Sequence, residues 1–103
     1  MKVFYGVQDI LDQVNSLPEV GFFYIKPTEQ VNSKNDLLNT VFYLPENHDD
    51  EDQLEEDGIT DCWLEAPTFC DIIENILDHR PNAKEDDFIC AILHYWKHDD
   101  FLD

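Results

Sequence analysis

Apolar positions along this 103-residue chain alternate between helical and strand spacing, and the changes of spacing mark out its elements. Val7, Ile10, Leu11 and Val14 recur at i, i+3, i+4 and i+7, which predicts a short amphipathic helix over about residues 6–16, stopped at Leu17-Pro18. Val20 to Lys26 is β-branched and aromatic between Pro18 and Pro27 and predicts a strand; its near-continuous apolarity predicts burial on both faces. Residues 27–36 read as a polar connection, and Leu37 to Leu44 as a second strand ending at Pro45. With no helix expected between them, antiparallel pairing of these two strands is the simplest topology.

Ile59 to Glu65 alternates again and predicts a third strand, with Cys62 and Leu64 on one face and Trp63 on the other. Pro67 sits at a helix-starting position, and Phe69, Ile72, Ile73, Ile76 and Leu77 form a helical stripe with Asp71, Glu74 and Asp78 opposite. His79-Arg80-Pro81-Asn82 breaks that helix. Asn82 and Glu85 have the spacing of a capping box, and Phe88, Ile89, Ile92, Leu93 and Trp96 carry a last helix to about Lys97. Asp86 and Asp87 suit its start and Lys97 its end. The expectation is one α+β domain, residues 1–103, with a small antiparallel sheet of about three strands. An N-terminal helix and a C-terminal helical hairpin would pack on that sheet.

One stretch has no such pattern. Glu46 to Asp57 holds eight carboxylates (Glu46, Asp49, Asp50, Glu51, Asp52, Glu55, Glu56 and Asp57), no Lys or Arg, and a single apolar residue, Leu54. It has little with which to offset an ordering cost of roughly 1–2 kcal/mol per residue, and reads as a solvated, self-repelling loop between strands. The plain interpretation is a solubilising linker. The charge distribution points further. The formal charge is −18, and residues 1–45 carry five carboxylates against three bases, whereas residues 46–103 carry nineteen against Arg80, Lys84 and Lys97. Solubility alone needs a magnitude of roughly 2–8. A field of this sign speeds encounter with a basic partner and repels nucleic acid and anionic membranes.

Other chemistry finds little support. Three cysteines, Cys62, Cys70 and Cys90, without a C-x-x-C pair argue against a disulfide framework and a structural zinc site, and each reads as a packing residue. Aligning Gly58 with the sixth position of a calcium loop puts Gln53 first and Leu64 twelfth, so both anchors fail. His94 and His98 have zinc-capable spacing, but Tyr95 follows the first and the metalloprotease pattern is absent. The chain has three unclustered glycines and no phosphate loop. No metal, no cofactor and no enzymatic activity are expected. The start of the chain lacks a secretory pattern and no apolar run has the length of a membrane span, so a cytoplasmic, reduced setting is expected.

Residues 63–103 carry Trp63-Leu64-Glu65, Arg80-Pro81-Asn82-Ala83 and the ending Asp99-Asp100-Phe101-Leu102-Asp103. In these marks, over about 40% of the chain, the sequence resembles small acidic bacterial immunity proteins of toxin–immunity loci, including contact-dependent growth inhibition (CDI). The resemblance implies a cytosolic protein that binds a delivered toxin domain, often a nuclease, and blocks its active site or its access to substrate. It supplies no functional residues. The candidate partner-binding set therefore rests on charge and position: the eight carboxylates of 46–57, Asp61, and Trp63 as an aromatic anchor. The rivals are a DNA-mimic or anti-restriction inhibitor, which would spread its charge evenly, and an acidic adaptor subunit with no toxin partner. Oligomeric state is left open.

Overall fold

A computed structural model describes residues 1–101; Leu102 and Asp103, the end of the last of those marks, lie outside the described residues. The fold is α+β, with a four-stranded antiparallel sheet: β1 (Lys2–Tyr5), β2 (Phe22–Ile25), β3 (Val41–Leu44) and β4 (Asp61–Glu65). Among the described residues five helices accompany it: α1 (Val7–Asp12), α2 (Lys34–Asn39), α3 (His48–Glu56), α4 (Ala66–His79) and α5 (Glu85–His98). A 3-10 turn, Val14–Ser16, continues α1.

The strand order is β1-β3-β2-β4. The β2–β3 pairing is antiparallel, as the sequence predicts, with Tyr24 opposite Tyr43. Because β2 is antiparallel to both β3 and β4, those two strands run parallel with β2 between them. Parallel strands need a crossover rather than a hairpin. The acidic stretch is that crossover. By the same logic β1 and β2 run parallel around β3 and are joined through α1.

Strand residues alternate between two faces. Phe4, Phe23, Ile25, Phe42 and Leu44 face the core with α1, α2, α4 and α5, contributing with Val7, Ile10, Leu37, Phe69, Ile72, Ile76, Ile89 and Ile92 to one cluster. Phe23 is its centre: its ring lies 5.7 Å from Phe4, 5.8 Å from Phe69, 6.0 Å from Trp63 and 6.4 Å from Phe42, at steep angles. Edge-on contacts of this kind add to the gain from area burial.

Several expectations change. The sheet has a fourth strand, β1, whose only fully core-facing apolar side chain is Phe4; four residues are too few to show a period. Leu37 and Leu38 belong to α2 and not to a strand. Ser33 caps that helix by accepting from the Asp36 N–H at 3.1 Å, and the Asp36 carboxylate reaches back to the Asn32 N–H at 3.1 Å. This reciprocal capping outweighs the β-propensity of the stretch. The strand expected over 20–26 is buried on one face only, with Phe22 exposed and Val20 outside it. A bulge between Phe22 and Tyr24 breaks the alternation expected of β4: Trp63 and Leu64 are both buried, and Cys62 is exposed instead of packed. Cys90 is exposed as well, and Cys70 half-buried. The last helix begins two residues later than expected, where the Asp87 carboxylate accepts the Lys84 N–H at 3.0 Å.

Gly6 joins β1 to α1 at φ 90°, inside the region that L side chains avoid, and its N–H donates to Thr40 O at 2.9 Å. A Cβ there would collide with the backbone carbonyl of Leu38. Gly58, at φ 76°, faces open space. Gly6→Ala should therefore cost about 2–3 kcal/mol of stability from strain and displacement, and Gly58→Ala about 1–2 kcal/mol from conformation alone. Urea unfolding checks the order: equal losses at the two positions contradict the close approach of β1 to α2.

Candidate interaction surface

The segment expected as a loop, Glu46 to Asp57, is helical over His48–Glu56, and its two ends explain why. Asn47 is the N-cap: its side chain accepts from the Asp50 N–H at 2.9 Å, while Asp50 accepts from the Glu46 N–H at 2.9 Å. Asp49, Asp50 and Glu51 in the first turn suit the positive end of the helix dipole. At the far end the Ile59 N–H donates to Leu54 O at 2.8 Å and the Gly58 N–H to Glu55 O at 3.1 Å. This is a Schellman motif with Gly58 in the left-handed position, and its hydrophobic contact pairs buried Leu54 with buried Ile59. One apolar residue suffices because it sits where the capping motif needs it.

Leu54 is buried outside the main core cluster. It lines a depression of about 320 Å³ with Tyr24, Glu51, Asp52, Glu55 and Ile59. Tyr24 points away from the core, on the face opposite Phe23, so α3 lies against the outer face of the sheet. Burial first, and then the neighbouring Cys62 and the Glu51 carboxylate, push the Tyr24 hydroxyl above its ordinary value. At the start of α3 a larger depression, about 530 Å³, has Pro18, Val20, Leu44 and Pro45 as apolar lining, with Glu46 and Glu51 also bordering it. Val20 is 77% exposed there.

The eight carboxylates are not equivalent. Glu46 and Asp50 grip the Met1 amino group at 3.0 and 2.9 Å. That amine is raised above 8.0, chiefly by its hydrogen bond to Asp50 and then to Glu46. Asp50 is lowered below 3.8, first by the Glu46 N–H and then by the amine. The contact is therefore complete between those ordinary values. It is lost on the acid side as pH falls through the depressed value, and on the alkaline side as pH rises through the raised one. Asp57 accepts from the Gln53 amide at 3.1 Å. Asp49, Glu51, Asp52, Glu55 and Glu56 remain exposed along α3; among the described residues their only cationic partner is His48, whose Nδ1 lies 3.5 Å from Glu51. Asp61 is exposed at the start of β4, beyond Ile59 and Thr60, and borders a separate depression with Cys62 and Trp96.

Trp63 does not join this surface. It is 4% exposed, its ring 4.5 Å from Phe42 and 6.4 Å from Trp96, so it packs the core and presents nothing to a partner. The exposed large apolar side chains among the described residues are elsewhere: Val20, Phe22, Met1, Leu77 on α4, and on β1 Val3 and Tyr5. Phe22, Val3 and Tyr5 share the outer face with α3 by strand alternation. Sequence reading missed Val20 and Phe22 because Pro18 and Pro27 bounded an apolar run that looked fully buried.

Among the described residues no group of three or more His, Cys, Asp or Glu is placed to hold a metal ion, and no helix is long and apolar enough to cross a membrane. The arrangement is that of a small α+β domain whose crossover helix carries its densest charge. Residues 4–103 match the protein family described as Domain of unknown function (DUF7716), and the chain belongs to that family. No curated protein and no solved structure matches it.

Two results are expected. Asn47→Ala should weaken the first turn of α3 by about 1 kcal/mol, seen as faster amide exchange at residues 48–51 with exchange in α5 unchanged. Unaltered exchange at 48–51 contradicts the capping. Acetylating the Met1 amine should raise the Asp50 titration midpoint part of the way back toward 3.8; an unmoved midpoint in a carbon-detected NMR titration contradicts the ion pair.

Proposed function

We propose that the protein is an inhibitor of the immunity type, which binds a basic toxin domain, a nuclease, and keeps nucleic acid out of its substrate groove. The observation that carries this reading is the display of Asp49, Glu51, Asp52, Glu55 and Glu56 on a helix capped at both ends, with Leu54 seated beside Tyr24. A helix formed in advance holds its carboxylates at fixed spacing, so binding loses less to ordering than a loop would. A nuclease must present Lys and Arg to phosphates, and the same groups recognise carboxylates. The resemblance of residues 63–103 to CDI immunity proteins agrees with this.

Affinity and rate then come from different parts. The depression lined by Pro18, Val20, Leu44 and Pro45 offers an apolar anchor next to the charges, and the field of the acidic half raises the encounter rate. Concentration of charge on one helix, instead of an even spread, favours a toxin partner over DNA mimicry. The reading assigns no catalytic role to any residue.

Replacing Asp49, Glu51, Asp52, Glu55 and Glu56 with Ser or Gln, while keeping the capping residues, should lower the association rate with a basic nuclease domain encoded beside this gene by roughly tenfold to a thousandfold. The rate for the native protein should fall steeply with added salt, as exposed charges are screened beyond about 8 Å at physiological ionic strength. Stopped-flow mixing measures both. If the native protein leaves cleavage by that domain untouched, the proposal is wrong; if cleavage is blocked with a rate insensitive to salt and to the five substitutions, the assignment to α3 is wrong.

A further inference from the structure

On the core side of the sheet, α4 has more apolar surface than its packing uses. Phe69, Ile72, Ile73 and Ile76 enter the core. Cys70, Ile73 and Leu77 recur at i, i+3 and i+7 on a neighbouring face, and that face borders a groove of about 440 Å³. Leu11, Val14 and Leu17, from α1 and the 3-10 turn that follows it, form the other wall. Ile73 is buried at the floor of the groove, whereas Leu77 is 39% exposed and Leu11, Val14 and Leu17 are half-buried, so the upper parts of both walls meet water.

The charge bordering this groove has one sign. Glu74 lines it, and Asp71 precedes it by one turn on the same helix. Burial first, and then the charges of Glu74 and Asp71, raise the Cys70 thiol at the groove's edge. No Lys or Arg lines it, and Arg80, one turn past Leu77, is already paired with Asp87 at 3.5 Å. Neighbouring walls of apolar side chains at helical spacing are the usual receptor for an amphipathic helix, read through its i, i+3, i+4 and i+7 anchors. Charge then selects the occupant. A second copy of this chain would bring a further −18 against Glu74 and Asp71, and a neutral apolar molecule would make no use of them.

We propose that this groove docks a cationic amphipathic helix of a partner protein, its apolar ridge between Val14 and Leu77 and its Lys or Arg residues against Asp71 and Glu74. The site is separate from α3, which lies on the other face of the sheet, and stands or falls independently of the toxin reading.

The test titrates the full chain with a synthetic Leu/Lys helical peptide whose leucines share one face, and with a scrambled peptide of the same composition. Amide shifts and fluorescence anisotropy are the readouts. The ordered peptide should bind about tenfold more tightly than the scrambled one and shift amides at 11–17 and 70–77. Leu77→Ser, at a position exposed enough to leave the fold intact, should weaken it by about tenfold. The protein with its five free α3 carboxylates neutralised should keep the affinity. Equal binding of the two peptides, shifts confined to α3, binding unaffected by Leu77→Ser, or a dimer in sedimentation that closes the groove would each overturn the proposal.

Discussion

The direction of β2 is the constraint on which the outer face depends. Since β2 is antiparallel to both of its neighbours, β3 and β4 point the same way, and the chain must travel the length of the sheet to go from one to the other. The core side is already occupied by α1, α2, α4 and α5. The returning segment therefore lies on the outer face, where it meets Tyr24 and few other partners. A helix in that position needs only a foothold, supplied by Leu54 and Ile59. Its remaining side chains are free of any packing requirement, and here nearly all of them are acidic.

A helix this charged is close to its limit. Glu51 and Glu55, and Asp52 and Glu56, stand one turn apart with like charge, an arrangement that weakens an isolated helix. The ends compensate: Asn47 and Asp50 satisfy N–H groups at the start, Gly58 and Ile59 satisfy carbonyls at the finish, and the Met1 amine neutralises part of the first turn. A cationic partner would relieve the repulsion that remains. Under the proposed function, association and helix stability would be linked through the same five side chains.

Much of the inner half was legible in the sequence. The stripes of α4 and α5 followed from period and punctuation, because burial against one core imposes one period; the antiparallel pairing of β2 with β3 was reached from a connection read as free of helix, which α2 occupies. The acidic stretch was misread for an identifiable reason. Counting carboxylates against one leucine gives the ordering balance of a free loop, but helix ends are decided by local hydrogen bonds. Asn47, Asp50, Gly58 and Ile59 supply those bonds, and none of the four was read as a cap from the sequence. Trp63 was misjudged differently: a bulge in the pairing of β2 with β4 sets the side-chain direction there, and no pattern within β4 itself reports it. Of the expected partner-facing residues, the five open carboxylates of α3 and Asp61 lie on the surface, three serve the helix's own ends, and Trp63 belongs to the core.

The central claim is that α3 exists as a preformed charged face for a cationic protein. Hydrogen exchange on the complex with the basic domain encoded nearest this gene tests it most directly. Slowed exchange at residues 48–56 on binding, together with slowing around Val20 and Phe22, is the predicted footprint. Protection confined to other surfaces, with α3 exchanging as it does in the free protein, would contradict the account.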